Sequence, residues 1–222
     1  ILEDRPVPGA DVNDGVASIR AMLAIVKYRG SALKIASPAV ADNKQVVLAA
    51  VSDVAENVKY ASARLRGDRD VALAVAGACK GRGTALKHLT LPIDREIGAR
   101  AVSAGGCSLQ CLSVELCNDR SVVMAAIARN ATDVAFASDR LKGDLAVAQT
   151  AVKGDARAFV YLASSMLCKK GVLMAALDSV KPVESRMDYV VSQILKKCAV
   201  HLRGDTEVVL KCVRLDPHSI RL

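Results

Sequence analysis

Cys107 and Cys111 stand four residues apart, and Cys198 and His201 stand three apart, a short way upstream of Cys212. Thiols and imidazoles at such spacings can share a helix face and hold zinc. A structural zinc site ordinarily shows paired short Cys/His spacings, and neither cluster does. His88, His201 and His218 are the only histidines, and no nucleophile elbow, Walker loop or dinucleotide fingerprint accompanies them. Gly81-Arg82-Gly83 and Gly105-Gly106 lack the strand-then-helix setting of a phosphate loop and read as turns. Seven cysteines, odd in number and irregular in spacing, fit reduced thiols in a reducing compartment. The expectation is a protein that is not an enzyme, with no catalytic, cofactor-binding or metal-ligating residue and no cofactor.

The elements that position these residues follow from an internal repeat. Anchors three residues before each aliphatic cluster fall at Ser18, Asn43, Asp68, Asp94, Asp119, Asp144, Lys169 and Asp205. Their spacings are 25, 25, 26, 25, 25, 25 and 36 residues. Such a period marks an array of stacked units that works through extended surface. In this register Cys111 and His88 occupy the position of Tyr60 and Phe136, and Cys212 that of Ala50. All three therefore read as packed residues rather than ligands.

After each anchor the apolar residues fall at i, i+1, i+4 and i+5, as in Val46, Val47, Ala50 and Val51 or Val122, Val123, Ala126 and Ile127. That is one stripe along a helix, although the β-branched residues favour strands. The Asp or Asn that opens most copies suits an N-cap. A second set, Asn57-Val58-Lys59-Tyr60-Ala61-Ser62 and its equivalents, continues to Leu65, Leu116 or Leu141 and predicts a second helix of about ten residues. Leu65-Arg66-Gly67-Asp68, Leu141-Lys142-Gly143-Asp144 and Leu202-Arg203-Gly204-Asp205 each place a glycine where a left-handed stop is expected, followed by the next cap. The Arg-Gly-Asp tripeptides within two of these junctions, Arg66-Gly67-Asp68 and Arg203-Gly204-Asp205, read as the same capping device.

Laid out this way, the chain resembles the tandem repeats known as domain-of-unknown-function 4116. The shared features are an Asp-Arg/Lys-x-Val-Val-Leu-x-Ala-Val helix, an Ala-Leu-x-Tyr-Ala-Ser segment and a Leu-Arg/Lys-Asn/Gly-Asp junction. The match runs from Ser18 to Arg214 and weakens at 94–106 and between Val180 and His201. The resemblance implies a helical repeat fold and transfers no catalytic residue. The expected fold is all-α, an α-solenoid of tandem short helix-turn-helix repeats. Residues 1–14 are expected to form an N-terminal extension, 15–214 a single array of about seven helix pairs with an insertion near 181–190, and 215–222 a tail.

Composition narrows function. Aromatics are only 3% of the 222 residues, with no Trp, which suits neither an aromatic-lined pocket nor a base-stacking platform. No apolar run approaches the roughly 18 residues of a membrane span. The net charge of +8 invites a nucleic-acid or acidic partner. Much of it, though, lies as acids at helix starts and bases at helix ends that complement the helix dipole. The first residues lack an initiator Met and look processed, which suggests a removed targeting peptide. The expectation is a non-catalytic protein–protein interaction scaffold, an accessory peripheral subunit of a large assembly such as an organellar photosynthetic or respiratory supercomplex. Its partners are other proteins of the complex, with a peripheral place at a membrane complex and an organelle stroma or matrix as its setting. The alternative is an RNA-associated helical repeat protein, such as an organellar ribosome component.

Overall fold

A ten-residue stripe of small aliphatics cannot hold a helix alone in water, so each helix here needs a neighbour on both sides. The computed structural model describes residues 12–79, 83–180 and 187–216. The chain comprises two compact units, Ile1–Cys107 and Ser108–Leu222. Every regular element among the described residues is helical, and the fold is an all-α helical repeat. No described helix is long and apolar enough to cross a membrane.

In the first unit the helices Val12–Tyr28, Lys44–Asp53, Arg69–Ala78 and Arg95–Ser103 pack in chain order, each against the next. In the second, Arg120–Arg129, Leu145–Gly154, Lys170–Asp178 and Thr206–Leu215 do the same. The expected stripe is the core: Val46, Val47, Ala50, Val51, Val122, Val123, Ala126 and Ile127 are all buried. Asn43, Asp68, Asp119, Asp144 and Asp205 each accept from two backbone N–H groups of the first turn, and Asp94 from one. Ser18 differs: it lies within the helix that starts at Val12, so the helix reaches into the stretch expected as an extension.

The second helix is not the single ten-residue helix that the pattern suggests. It is a 3-10 helix, as in Ala55–Tyr60, Ala131–Phe136 and Ala156–Tyr161, then a break, then one α-turn, as in Ala63–Arg66, Asp139–Lys142 and Ser164–Leu167. With about 3.0 residues per turn, every third side chain stacks on one line. Ala55, Val58 and Ala61 are buried, as are Ala131, Val134 and Ala137, and Ala156, Phe159 and Leu162. Ala61 and Ser62 break the helix by taking extended ψ values of 158° and 156°. The Ser62 hydroxyl then caps the following turn at Leu65 N, 3.2 Å away.

Two repeats depart from this plan. After Thr84–His88 no α-turn forms over 89–93, where Pro92 falls. After Lys170–Asp178 the 3-10 position is taken by an α-helix, Met187–Lys197, which packs on Ala156–Tyr161. Residues 181–186 of the expected insertion lie outside the described residues, and its remainder opens this helix. Of the expected tail, Leu215 ends a helix, Asp216 is its C-cap, and 217–222 lie outside the described residues.

The junction glycines are not left-handed. Gly67, Gly143 and Gly204 have φ near −90° and ψ near 0°, like Asp42, Asn118 and Cys168 at the equivalent sites. Nothing lies within 4 Å of a methyl placed on Gly204. A methyl on Gly30, by contrast, would lie 2.6 Å from Asn57 Nδ2 and 2.8 Å from the Ala50 carbonyl oxygen. Gly204→Ala is therefore expected to stabilise the protein by about 0.4–1 kcal/mol through the unfolded chain. Gly30→Ala is expected to destabilise it by about 1–3 kcal/mol through overpacking. Urea unfolding of both variants checks the pair.

Candidate interaction surface

The charges at the helix starts are used inside the array. In the first unit Lys44 Nζ lies 2.9 Å from Asp68 and 2.6 Å from Asp70, and Arg69 pairs with Asp94 and with Glu96 at 2.5 Å. In the second, Lys170 lies 2.9 Å from Asp205 and 2.8 Å from Glu207, and Arg120 3.6 Å from Asp144. A base just after one cap thus reaches the cap of the next repeat. The sequence led us to expect bases at helix ends; the bases of these pairs sit at helix starts. Bases of the single α-turns are engaged too. Arg64 donates to the Asp42 carboxylate at 3.0 Å and to its backbone carbonyl at 2.9 Å, and Arg140 to the side-chain amide oxygen and backbone carbonyl of Asn118 at 3.0 and 2.8 Å.

The candidate ligating residues do not converge. Among the described residues no three of the His, Cys, Asp and Glu side chains form a group that could hold a metal ion. Cys198 and Cys212 are buried and His201 is exposed. Burial, with Cys198 and Asp216 nearby, pushes the Cys212 thiol up to about 11, so it is an inert core thiol. Cys198 donates to the Leu195 carbonyl at 3.2 Å, and burial raises its thiol as well. The 3-10 helix Leu109–Cys111 does not extend back to Cys107, so the shared α-helical face expected for these two cysteines is absent. Gly83 and Gly105 do make turns, with φ of 66° and 76°, and Gly81 and Arg82 lie outside the described residues.

One expectation is overturned. Cys111 is exposed rather than a small core residue, and it marks a whole row. The last side chain of each 3-10 helix points away from the buried line. Ile35, Tyr60 and His88 hold this position in the first unit, and Cys111, Phe136 and Tyr161 in the second. Ile35 is 82% exposed, Phe136 41% and Tyr161 46%, while Tyr60 and His88 are half-buried. Lys59 Nζ sits 4.9 Å from the centre of the Tyr60 ring. The sequence did carry a sign of this. The chemistry changes from repeat to repeat at this position, while the residue two before it is always Leu, Val or Phe (Leu33, Val58, Leu86, Leu109, Val134, Phe159).

In the second unit this row borders a cleft. Arg157, Val160 and Tyr161 from one side and Tyr189, Val190, Gln193 and Ile194 from the other enclose about 200 Å³. That is below the roughly 300–1,000 Å³ of ordinary small-molecule pockets and suits one inserted side chain. Tyr189 is 63% exposed at its rim.

The cap edge sets a pH dependence. The carboxyls of Asp68 and Asp205 are held below their ordinary value chiefly by Lys44 and Lys170, and those of Asp94 and Asp144 chiefly by the N–H groups of Ile97 and Val147. A depressed carboxyl contributes its full stability above the ordinary value of about 3.9 and loses it as pH falls through the folded value. Unfolding stability is therefore expected to hold at neutral pH and drop on the acid side of that value. Asp144→Ala is expected to cost about 1 kcal/mol near neutrality, and Asp144→Asn clearly less, since asparagine caps equally well. Chemical denaturation of the two variants across the acid range tests this.

Comparison of the chain with protein-family models, curated proteins and solved structures finds no match.

Proposed function

We propose that this chain is a non-catalytic protein-binding scaffold, an accessory subunit that holds partners through the exposed ends of its 3-10 helices. One observation carries the reading. The chain has only six aromatic residues, and Phe159 alone among them is buried. Rings that could have filled a core of Ala, Val and Leu stand at the surface instead, and exposed Tyr and Phe are the side chains that anchor protein interfaces. The resemblance to the 4116 repeats agrees with such a role, since it brings a helical repeat and no catalytic residue. Phe136→Ser and Tyr161→Ser are expected to leave the protein folded, at a cost of about 1–2 kcal/mol for the covered part of each ring. They are also expected to weaken capture of the native partners by about tenfold or more. Crosslinking and quantitative co-purification of wild type and variants measure this. Undiminished capture by both variants would sink the reading.

The RNA-associated reading has one observation in its favour. Lys34, Lys59 and Lys87 are exposed at the same position of three consecutive 3-10 helices, and none forms an ion pair among the described residues. The equivalent residues of the second unit are Gln110, Ala135 and Val160. Three such contacts to a single strand predict a log–log salt slope of about −2. Replacing all three lysines with glutamine should abolish that slope in a filter-binding titration. A salt-independent response of the wild type removes this reading.

A further inference from the structure

The acids of the first unit are spent inside it. Every acidic side chain described between Ser18 and Cys107 has a partner there. Asp42 and the acids at the helix starts hold Arg64, Lys44 and Arg69. Asp53 accepts from the Gly30 N–H at 2.9 Å, and Glu56 from the Thr84 hydroxyl at 2.9 Å. Lys34, Lys59 and Lys87 have no acid of this kind. They stand at one position of the 3-10 helices Gly30–Ile35, Ala55–Tyr60 and Thr84–His88, which pack in chain order. All three are exposed, and none forms an ion pair among the described residues. Glu56 is the only acid in these helices, and its carboxylate is bonded to the next repeat. The row is therefore uncompensated positive charge, which attracts an acidic partner.

The surroundings of the row fit a peptide better than a nucleic acid. The residue after each lysine is Ile35, Tyr60 or His88, and Tyr60 and His88 are half-buried. A strand of bases needs a ring at successive steps, which this strip does not supply. The backbone beyond the lysines is also engaged, since Ser62 N–H donates to Ala41 and Thr90 N–H to Arg66, at 3.0 and 3.1 Å. A partner strand finds no open edge at those groups, so recognition falls to side chains. Packed helices lie roughly 8–10 Å apart, which sets the interval between neighbouring lysines. In a polyproline II segment every third residue returns to one side after about 9.3 Å. An α-helix meets the same interval only at about every seventh residue, and one of about 15 residues is marginal in water before it binds.

We propose that the lysine row of the first unit docks an extended acidic protein segment, with a carboxylate at every third residue facing Lys34, Lys59 and Lys87. This partner class rests on the protein-binding reading above and adds the chemistry of one partner. The second unit offers no such row, because Gln110, Ala135 and Val160 hold the position there.

Fluorescence anisotropy with the full chain at low ionic strength tests this, with circular dichroism confirming that each variant is folded. The probe is a labelled peptide of four Glu-Pro-Pro triplets. It is compared with the same residues rearranged into one Glu block and one Pro block, with the Gln-Pro-Pro analogue, and with a twelve-residue oligouridine. The regular peptide is expected to bind about threefold or more tighter than the rearranged one, and the Gln analogue not at all. Replacing Lys34, Lys59 and Lys87 together with glutamine is expected to weaken its binding about tenfold or more. Replacing Lys153, Lys196 and Lys197, exposed lysines of the second unit, removes the same charge and is expected to change the affinity less than about twofold. Four results each overturn the proposal: no binding of the regular peptide, equal binding of the two arrangements, equal loss in the two triple variants, or tighter binding of the oligouridine. The protein-binding reading fails separately, through Phe136→Ser and Tyr161→Ser in the second unit. Loss of native partners in those variants, with no binding of the peptide, removes only the lysine-row proposal.

Discussion

The structure depends on one backbone hydrogen bond made again at successive repeats. Its donor is an N–H at the break after the second helix of a repeat, and its acceptor is a carbonyl in the single α-turn of the preceding repeat. Ser62 to Ala41 and Thr90 to Arg66 are examples in the first unit; Ser138 to Cys117, Ala163 to Lys142 and Ala199 to Leu167 are examples in the second. A continuous α-helix would spend that N–H on its own carbonyl four residues back. The extended residues at the break release it, and a side chain capable of capping, Ser62 or Ser138, secures the turn that follows. Side-chain packing alone tolerates sliding of one aliphatic stripe on the next, but this bond does not. It fixes how one repeat sits on the next, Thr90 keeps it even where the α-turn itself is missing, and Ala199 keeps it across the longest interval between anchors.

That constraint explains what was legible in the sequence. The first helix of each repeat was readable because ten residues at about 3.6 per turn separate i, i+1, i+4, i+5 cleanly from a strand's alternation. The second was not, because 3-10 and α periods coincide at i+3 and part only at the second turn. Val58 and Ala61 satisfy both, and the residue that settles the matter, Ala55, is a small side chain with little pattern weight. The glycine stops misled for a related reason. Glycine often marks a left-handed residue, yet Asp42, Asn118 and Cys168 adopt the same backbone as Gly67, which any L-residue can reach. In the sequence Cys111 and His88 read as packed because they hold the repeat position of Tyr60 and Phe136; a helix with three residues per turn sends that position off the buried line.

The ion pairs and the aromatic row are two consequences of the same stacking. Short repeats bring the starts of neighbouring helices together, which would crowd one capping carboxylate against the next. A base beside each cap, such as Lys44 or Arg69, offsets that repulsion and binds the neighbour. Individually such exposed pairs contribute little to stability, so their value lies in register and in relieving like charge. They also remove much of the acid and base from any external role. The side chains left without an internal task are those at the ends of the 3-10 helices, where the six-residue geometry turns one residue outward in nearly every copy.

Variation can therefore enter at that position without disturbing the core. Leu33, Val58, Leu109, Val134 and Phe159 hold the buried line, and the residues two places later range over Ile, Tyr, Cys, Phe and Tyr. A regular array of this kind presents similar chemistry along its length, and a distinct feature requires a departure from the repeat. The replacement of one 3-10 helix by Met187–Lys197 is such a departure. An α-helix carries its side chains at a different angular spacing from the 3-10 helix beside it. The cleft lined by Tyr161, Tyr189, Val190 and Ile194 lies where these two helices meet, within the longest interval between anchors.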